Sequence, residues 1–442
     1  MPTAREIAVG RIVKRVHQFP RLDPMPTGDG LDVPDARDAA LALAIDHAVT
    51  RHWLTLLALI RPFVRRSWER TEADVRAALL SGAAQLFYLD RLPDHAIIHE
   101  AVEITKTRGR AKASGLVNAV LRRVAELRSE RVDRWSPERP DELPLPTGEA
   151  WRLKNAAFEG EPIVRLSEQT SHPVPLLDHW SSRLGWERTK ALALHDLLNA
   201  PIIMTELGPI ADEDPLEPHE AAGFFVYRGA ARRQLEDLLK THPGARVQDP
   251  TSAAPVEALA RHGESFGTII DLCAGRGTKT RQLAARFPDS RIIATDVNEE
   301  RLIALEESTA ALSNVDVHPV DHLRRLVGQA DCILLDVPCS NTGVLARRVE
   351  ARYRWSEEAV TGLVGMQRQI IADVLPLLKP AGHLLYSTCS IEPSENQEQA
   401  AWCSAWHKFE LIEEHMQYPV GLPGDEPSVY RDGGYFALLR RG

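Results

Sequence analysis

The stretch TIIDLCAGRGTKTRQLAARF, Thr268–Phe287, decides the fold class of this chain. Its first six residues form an apolar run that reads as a buried strand. Gly275 and Gly277 then allow a tight turn and a close backbone approach, and a helix is expected to start near Thr278. The pattern repeats downstream. RIIATD (291–296), VDVHPV (315–320), DCILLD (331–336) and HLLYST (383–388) are strand candidates, separated by helical stretches such as GLVGMQRQIIADVLPLL. HKFELIEE and GYFALLRR add two later strands. Strands alternating with helices predict an α/β fold with a mostly parallel, doubly wound sheet. Ligands of such sheets bind beyond the carboxyl ends of the strands. Asp271, Asp296, Asp336 and Cys389 each close or follow a strand, so all four are expected along that one edge.

The first 130 residues read differently. REIAVGRIVKRV is amphipathic, with Val9, Ile12, Val13 and Val16 on one face. ARDAALALAIDHAVTRHWLTLLALI predicts one helix closed by Pro62. A second is opened by Thr71 with Asp74 three residues on, close to a capping box. A third follows Pro93-Asp94, and Leu116, Val117, Val120, Leu121 and Val124 form the stripe of a last one. Residues 1–130 are therefore expected to be an all-helical domain. Pro137, Pro140, Pro144 and Pro146 cannot continue a helix and predict an extended linker over 131–163. A helical connector and a small α+β region are expected over 164–247, with strand-like GFFVYRG and helix-like ARRQLEDLLK. The α/β domain takes 248–442.

With 442 residues, 44% hydrophobic and 26% charged, the chain has the composition of a soluble globular protein of two or three domains. No apolar run approaches the ~20 residues needed to cross a bilayer. The start of the chain lacks the apolar core of a secretory signal. Five cysteines without close spacing predict reduced thiols in a cytoplasmic protein. The net charge of −9 conceals an asymmetry. Residues 1–130 hold 20 basic against 16 acidic residues, and the remainder holds 33 against 46. The basic run KTRGRAKASGLVNAVLRR, Lys106–Arg123, is a candidate footprint for phosphates or a solvated helix face.

Beyond the first strand there is no full dinucleotide fingerprint and no P-loop spacing. Asp296, about twenty residues past the glycines, can accept hydrogen bonds from both hydroxyls of a ribose, so a ribose-bearing cofactor is expected. Cys339 follows Asp336-Val337-Pro338, and Cys389 follows the strand HLLYST. Both emerge on the ligand edge, where a buried packing role suits them poorly. Cys273, Cys332 and Cys403 lie in or beside strands and a helix and read as small buried hydrophobes. His95 with His99, and His318 with His322, have metal-ligand spacing but no third ligand, so no metal is expected. Trp135 and Trp151 read as packing residues.

DLCAGRGTKT, ATDVNEERL, LLDVPCSNTGVLARR and LLYSTCSIEPSENQ together resemble the RNA 5-methylcytosine methyltransferases of the NOL1/NOP2/Sun family. The pairing of Pro-Cys-Ser with Thr-Cys-Ser, fifty residues apart, carries most of that resemblance. YLDRLPDHAIIHEAVEITK and GLVNAVLRRV are similar to the NusB-type RNA-binding domain of the family's Sun (RsmB) branch. The resemblance implies a Rossmann-like, S-adenosylmethionine-dependent methyltransferase domain preceded by an all-helical NusB-like domain. It implies an RNA substrate, small-subunit (16S) ribosomal RNA before transfer RNA, and a monomer.

It also implies roles. Cys389 would add to C6 of a cytosine, Cys339 would assist removal of the C5 proton and release, and Asp336 would hold the base edge, the cofactor, or both. The cofactor loop would be Cys273, Ala274, Gly275, Arg276, Gly277, Thr278 and Lys279, with Asp296 at the ribose and Asp321 near the adenine. The family's loop usually reads Ala-Pro-Gly-Gly-Lys where this chain has Gly275, Arg276, Gly277, Thr278 and Lys279. A β-branched Thr278 in place of a glycine raises the question of backbone strain, and with it a rival reading as an RNA-binding ribosome-assembly factor without catalysis.

Overall fold

The structure is a computed structural model and describes residues 2–25, 36–65, 67–89, 92–229 and 232–442. Asp90 and Arg91 of the NusB-like stretch, and Ala231 of the expected helix, lie outside the described residues. The chain forms two compact units. One comprises Met1–Asn199 with Leu345–Ser356 and Leu422–Asp425; the other comprises Ala200–Val344, Glu357–Gly421 and Glu426–Gly442.

The first unit is helical: α1 (Ala4–Gln18), α2 (Ala36–Arg51), α3 (Trp53–Ile60), α4 (Ala73–Tyr88), α5 (Asp94–Thr105) and α6 (Ser114–Glu126) enclose one core. In α1 it is Ala8, Val9, Ile12 and Val16 that are buried, and in α6 it is Val117, Val120, Leu121 and Val124. Two expectations need correction. The helix read over 36–60 is two, because the backbone breaks at His52 (φ −111°, ψ 26°), whose ring stacks on Tyr88 at 3.7 Å. Thr71 does not cap α4, which starts from Glu72, and Asp74 instead pairs with Arg108 at 2.6 Å.

The stretch expected as a linker carries an antiparallel sheet of β1 (Arg128–Val132), β2 (Glu142–Pro144) and β3 (Ala150–Leu153), with β3 central. Prolines are tolerated here because they sit at strand ends and edges, where a missing N–H costs no ladder bond. α7 (Pro162–Thr170), α8 (Val174–Leu184) and α9 (Trp186–His195) complete this part of the unit. Within the same unit, Tyr353 donates its hydroxyl to Thr50 O at 2.8 Å, and Arg352 reaches Thr170 O and Asp196 O at 3.2 and 3.0 Å.

The second unit opens with a small antiparallel sheet, order β5-β6-β4-β7, formed by β4 (Ile203–Thr205), β5 (Leu216–Pro218), β6 (Phe224–Tyr227) and β7 (Arg246–Val247), with α10 (Arg232–Thr241). After α11 (Pro250–Arg261) come β8 (Thr268–Asp271), α12 (Thr278–Arg286), β9 (Arg291–Ala294), α13 (Glu299–Thr309), β10 (Val315–Val317) and β11 (Ala330–Asp336). The short α14 (Ala351–Arg354) belongs to the first unit. α15 (Glu357–Val374), β12 (Leu378–Thr388), α16 (Gln397–His407), β13 (Phe409–Gln417) and β14 (Gly434–Arg441) follow.

The seven strands β8–β14 make one sheet in the order β10-β9-β8-β11-β12-β14-β13. The pairings from β10 to β12 are parallel, and β14 runs antiparallel to both neighbours. Strand side chains alternate between two cores. Ile270, Ile293, Ile333, Leu335 and Leu384 pack on one face with Ile371 of α15 and Cys403 of α16. Ile269, Ile292, Leu334 and Leu385 pack on the other with Leu259 of α11 and Leu283 of α12. Burial on both faces explains why these strands are apolar runs rather than alternating ones. The chain winds outward from β8 and returns to β11, so the order reverses between these neighbours. The crevice beyond their carboxyl ends is where the topology puts a ligand.

Candidate active site

Two loops leave the switch point. The first follows β8, and its left-handed positions fall on glycines, Gly275 (φ 59°) and Gly277 (φ 87°). A Cβ on Gly277 would stand 2.6 Å from Ser308 Oγ and 2.9 Å from Leu305 Cδ1, so no larger residue fits there. Thr278 is the first residue of α12, where a β-branched side chain is tolerated, so the strain feared for it does not arise. Arg276 is exposed between the glycines, and its carbonyl accepts from Ser308 Oγ at 2.9 Å. Asp296, at the end of β9, braces the loop: Oδ2 accepts from Gly275 N at 3.0 Å and Oδ1 from Asn298 N at 2.9 Å.

Asp271 stands at the base of this loop, fully buried. Thr280 Oγ1 donates to its Oδ2 at 2.7 Å, while Oδ1 has no hydrogen-bond partner. Burial, opposed by Thr280 and reinforced by the Asp336 charge, pushes its pKa up from 3.8 to about 7. A buried oxygen left unpaired beside a glycine loop is a position that a donor on a ligand would complete. Sequence reasoning put Asp271 on the right edge without giving it a role. Val297, beside Asp296, is another residue it passed over: an apolar side chain 88% exposed.

The second loop follows β11 and meets the turn after β12. Cys339 Sγ and Cys389 Sγ lie 3.2 Å apart, Cys339 buried and Cys389 half-buried. The two loops are joined along their backbones as well, since Gly343 N donates to Cys389 O at 3.0 Å. A Cβ on Gly343 would come within 2.5 Å of Gly433 O and 2.9 Å of Cys389 O. Asn341, left-handed at φ 61°, brings its Oδ1 to 3.4 Å from Cys389 Sγ and donates through Nδ2 to Cys339 O at 2.8 Å. The hydrogen bond to Cys389 and burial together hold the Cys339 thiol well above its ordinary range.

Asp336 links the two loops. Its Oδ2 accepts from Lys279 Nζ at 2.8 Å and its Oδ1 from Ser387 Oγ at 2.9 Å. Burial acts against the Lys279 ammonium, but the Asp336 carboxylate outweighs it and raises the lysine pKa. Beneath the cysteines lies Glu395, with no exposed surface. It accepts from Ser340 N and Gln367 Nε2 through Oε1 (2.9 and 3.0 Å), and from Ser390 Oγ (2.6 Å) and Ser340 Oγ through Oε2. Nothing in the local sequence pattern marks it, because Gln367 and Ser340 come from segments 28 and 55 residues away.

The other candidates lie apart. Asp321 is on the turn after β10 with its carboxylate 90% exposed, in an ion pair with Arg324 at 3.6 Å. Burial pushes the thiols of Cys273 and Cys403 up to about 12 and raises that of Cys332 as well, which leaves them unreactive. His318 and His322 stack at 3.8 Å, and among the described residues no group of three or more His, Cys, Asp or Glu could hold a metal ion. Trp151 packs, donating Nε1 to Phe87 O at 3.3 Å beneath Arg128 and Arg131. No helix among the described residues is long and apolar enough to cross a membrane.

The chain as a whole is similar to known proteins. Residues 256–428 match the 16S rRNA methyltransferase RsmB/F family, and residues 5–126 match the NusB family. The ribosomal RNA small subunit methyltransferase B of Pasteurella multocida is 30% identical over 428 residues, covering 92% of this chain and 89% of that one. The protein of the same name from Yersinia enterocolitica is 29% identical and covers 98% of both chains. The crystal structure of PH0851 superposes with a TM-score of 0.71 at 20% identity, over all of this chain and 99% of that one, which shows a shared fold. The chain belongs to the RsmB/F family of 16S rRNA methyltransferases and carries a NusB-family domain ahead of its Rossmann-like methyltransferase domain.

Proposed function

We propose that this ribosomal RNA methyltransferase modifies C5 of a cytosine in 16S ribosomal RNA, through a covalent bond between Cys389 and C6. The observation that carries the reading is the pair of thiols 3.2 Å apart at the ligand edge of the sheet. Cytosine C5 is a poor nucleophile, and no base removes its proton directly. A Cys389 thiolate forming an Sγ–C6 bond moves the C5=C6 electrons onto C5, splitting one hard step into easier ones. The methyl donor is S-adenosylmethionine, which when bound supplies the electrophilic methyl group that C5 takes.

The donor set suits that cofactor. The unpaired Asp271 Oδ1 matches a cationic amino group, Asp296 matches ribose hydroxyls, and Val297 offers an apolar face to an adenine. The segment Cys273–Lys279 supplies backbone N–H groups, and Asp336 stands where loop and base meet. Asp321, on the exposed turn after β10, is the outermost member of this set.

The two thiols divide the work. In the free enzyme Cys339 keeps its proton against Cys389, chiefly through their hydrogen bond. Once Cys389 is bonded to carbon that hydrogen bond is lost and burial is the main opposition left to ionisation, which eases release of the Cys339 proton to solvent. The resulting thiolate takes the C5 proton after methylation, the C5=C6 bond re-forms and the Sγ–C6 bond breaks. Domain 1–130 binds RNA, and the protein works as a monomer in the cytoplasm. Bisulfite sequencing of ribosomal RNA from a strain lacking the gene is the test. One 16S cytosine should lose protection and regain it on complementation; loss confined to a transfer RNA would refute the substrate.

A further inference from the structure

The geometry points to Glu395 as the residue that sets the spacing of Cys339 and Cys389. This rests on the reading of those cysteines as the reacting pair. Ser340 directly follows Cys339, and Ser390 directly follows Cys389. Both serines donate to the same carboxylate oxygen, and Ser340 also donates its backbone N–H to the other. Each loop is therefore tied, one residue from its thiol, to a single buried group. Gln367 fills the remaining site and also donates to Pro338 O at 3.0 Å, which fixes the approach to Cys339 from the other side.

The hydrogens available here call for a carboxylate. Ser340 Oγ, Thr342 Oγ1 and Ser390 Oγ lie 3.0–3.2 Å from one another, and each has one hydrogen. Ser390 Oγ and Thr342 Oγ1 already accept from Glu392 N and Ile391 N. The two serine hydrogens go to Glu395 Oε2, so that oxygen must be an acceptor only. An amide nitrogen there would face two donors. Burial raises the Glu395 pKa, and the hydrogen bonds from Ser340, Ser390 and Gln367 oppose that rise; in the ionised form these bonds are charge-assisted. Its backbone is fixed too, since Tyr386 donates its hydroxyl to Glu395 O at 2.7 Å. Glu395 touches neither sulfur, so its part is positioning.

The test reads thiol spacing directly in the full-length protein. Phenylarsine oxide bridges two close thiols: two As–S bonds form, and the two thiol protons leave with the arsenic-bound oxygen as water. The wild type should bind the reagent tightly, and either single Cys→Ala variant should not. Glu395→Gln, of the same shape, should bind at least ten-fold more weakly while remaining folded at the assay temperature, with some loss in unfolding midpoint. Ser390→Ala, which removes one donor only, should fall between and carries the test if Glu395→Gln folds poorly. Methylation by Glu395→Gln should show a kcat at least ten-fold lower with KM for RNA within two-fold. Unchanged arsenical affinity in both variants, or no bridging in the wild type, would overturn the proposal. Failure of the wild type to methylate cytosine would instead sink the functional reading and leave the arsenical comparison standing.

Discussion

Lys279 Nζ stands 2.8 Å from Asp336 Oδ2, so the helix after the glycine loop and the strand leading to Pro338-Cys339 share one largely buried ion pair. Removing one partner of such a pair leaves an uncompensated charge, worth ~3–5 kcal/mol when fully buried. The Asp336 side chain is 36% exposed, which screens part of that cost. Lys279→Ala should therefore lower unfolding stability by about 2 kcal/mol in urea titrations. Lys279→Met combined with Asp336→Leu should recover most of the loss. A double variant less stable than the single would refute the ion-pair account.

The two thiols predict opposite failures. Cys389→Ala should abolish both methylation and any covalent RNA adduct. Cys339→Ala should still add to the base but stall at release, so a protein–RNA adduct should persist on a denaturing gel. Adduct from Cys389→Ala, with none from Cys339→Ala, would reverse the assignments.

Asp271 offers a pH test of the proposed cofactor site. Its folded pKa is raised from 3.8 to about 7, so the fold favours the neutral acid. That contribution is fully present below about pH 4 and is lost as pH rises through about 7. Asp271→Asn should therefore unfold at a higher temperature than wild type at pH 8, with the difference shrinking as pH falls towards 4. The same variant should bind S-adenosylmethionine at least ten-fold more weakly by calorimetry. Wild-type affinity should strengthen between pH 6 and 8, as the carboxylate ionises to meet the cofactor's ammonium. Equal affinity across that range would remove Asp271 from the site.

The basic stretch of the helical unit divides into two parts. Lys106, Arg108 and Arg110 are engaged with Glu103, Asp74 and Glu72. Lys112, Arg122 and Arg123 are exposed, which makes them the better candidates for meeting phosphates. Charge reversal of these three should weaken RNA binding and flatten the slope of log K against log salt, by about 0.7–0.9 for each phosphate no longer neutralised. Arg108→Glu should act mainly on stability, because it places like charge beside Asp74. An unchanged slope in the triple variant would exclude this face.

Legibility in the sequence followed the range of the interactions. Strands β8, β9, β11 and β12 showed themselves because burial on both faces makes each a compact apolar run. The cysteines stood out because each interrupts such a run at its carboxyl end. What escaped notice depends on partners distant in the chain. Glu395 looks like one acidic residue in a polar turn until Ser340, fifty-five positions earlier, is folded against it. The break at His52 depends on Tyr88, and the failed cap at Thr71 on Asp74 being drawn to Arg108. The proline-rich segment misled for another reason: proline forbids helix and central strand but permits the short edge strand that Glu142–Pro144 forms.

The position of β14 between β12 and β13 has a consequence for how the enzyme is made. Thr388, one residue before Cys389, pairs with Tyr435, and Gly433 N donates to Gly343 O at 2.6 Å in the opposite loop. During synthesis, β12 must wait with one flank unpaired until residues 434–441 leave the ribosome. The bracing that β14 and Gly433 give to both cysteine loops can therefore form only after translation has passed Cys389 by some fifty residues.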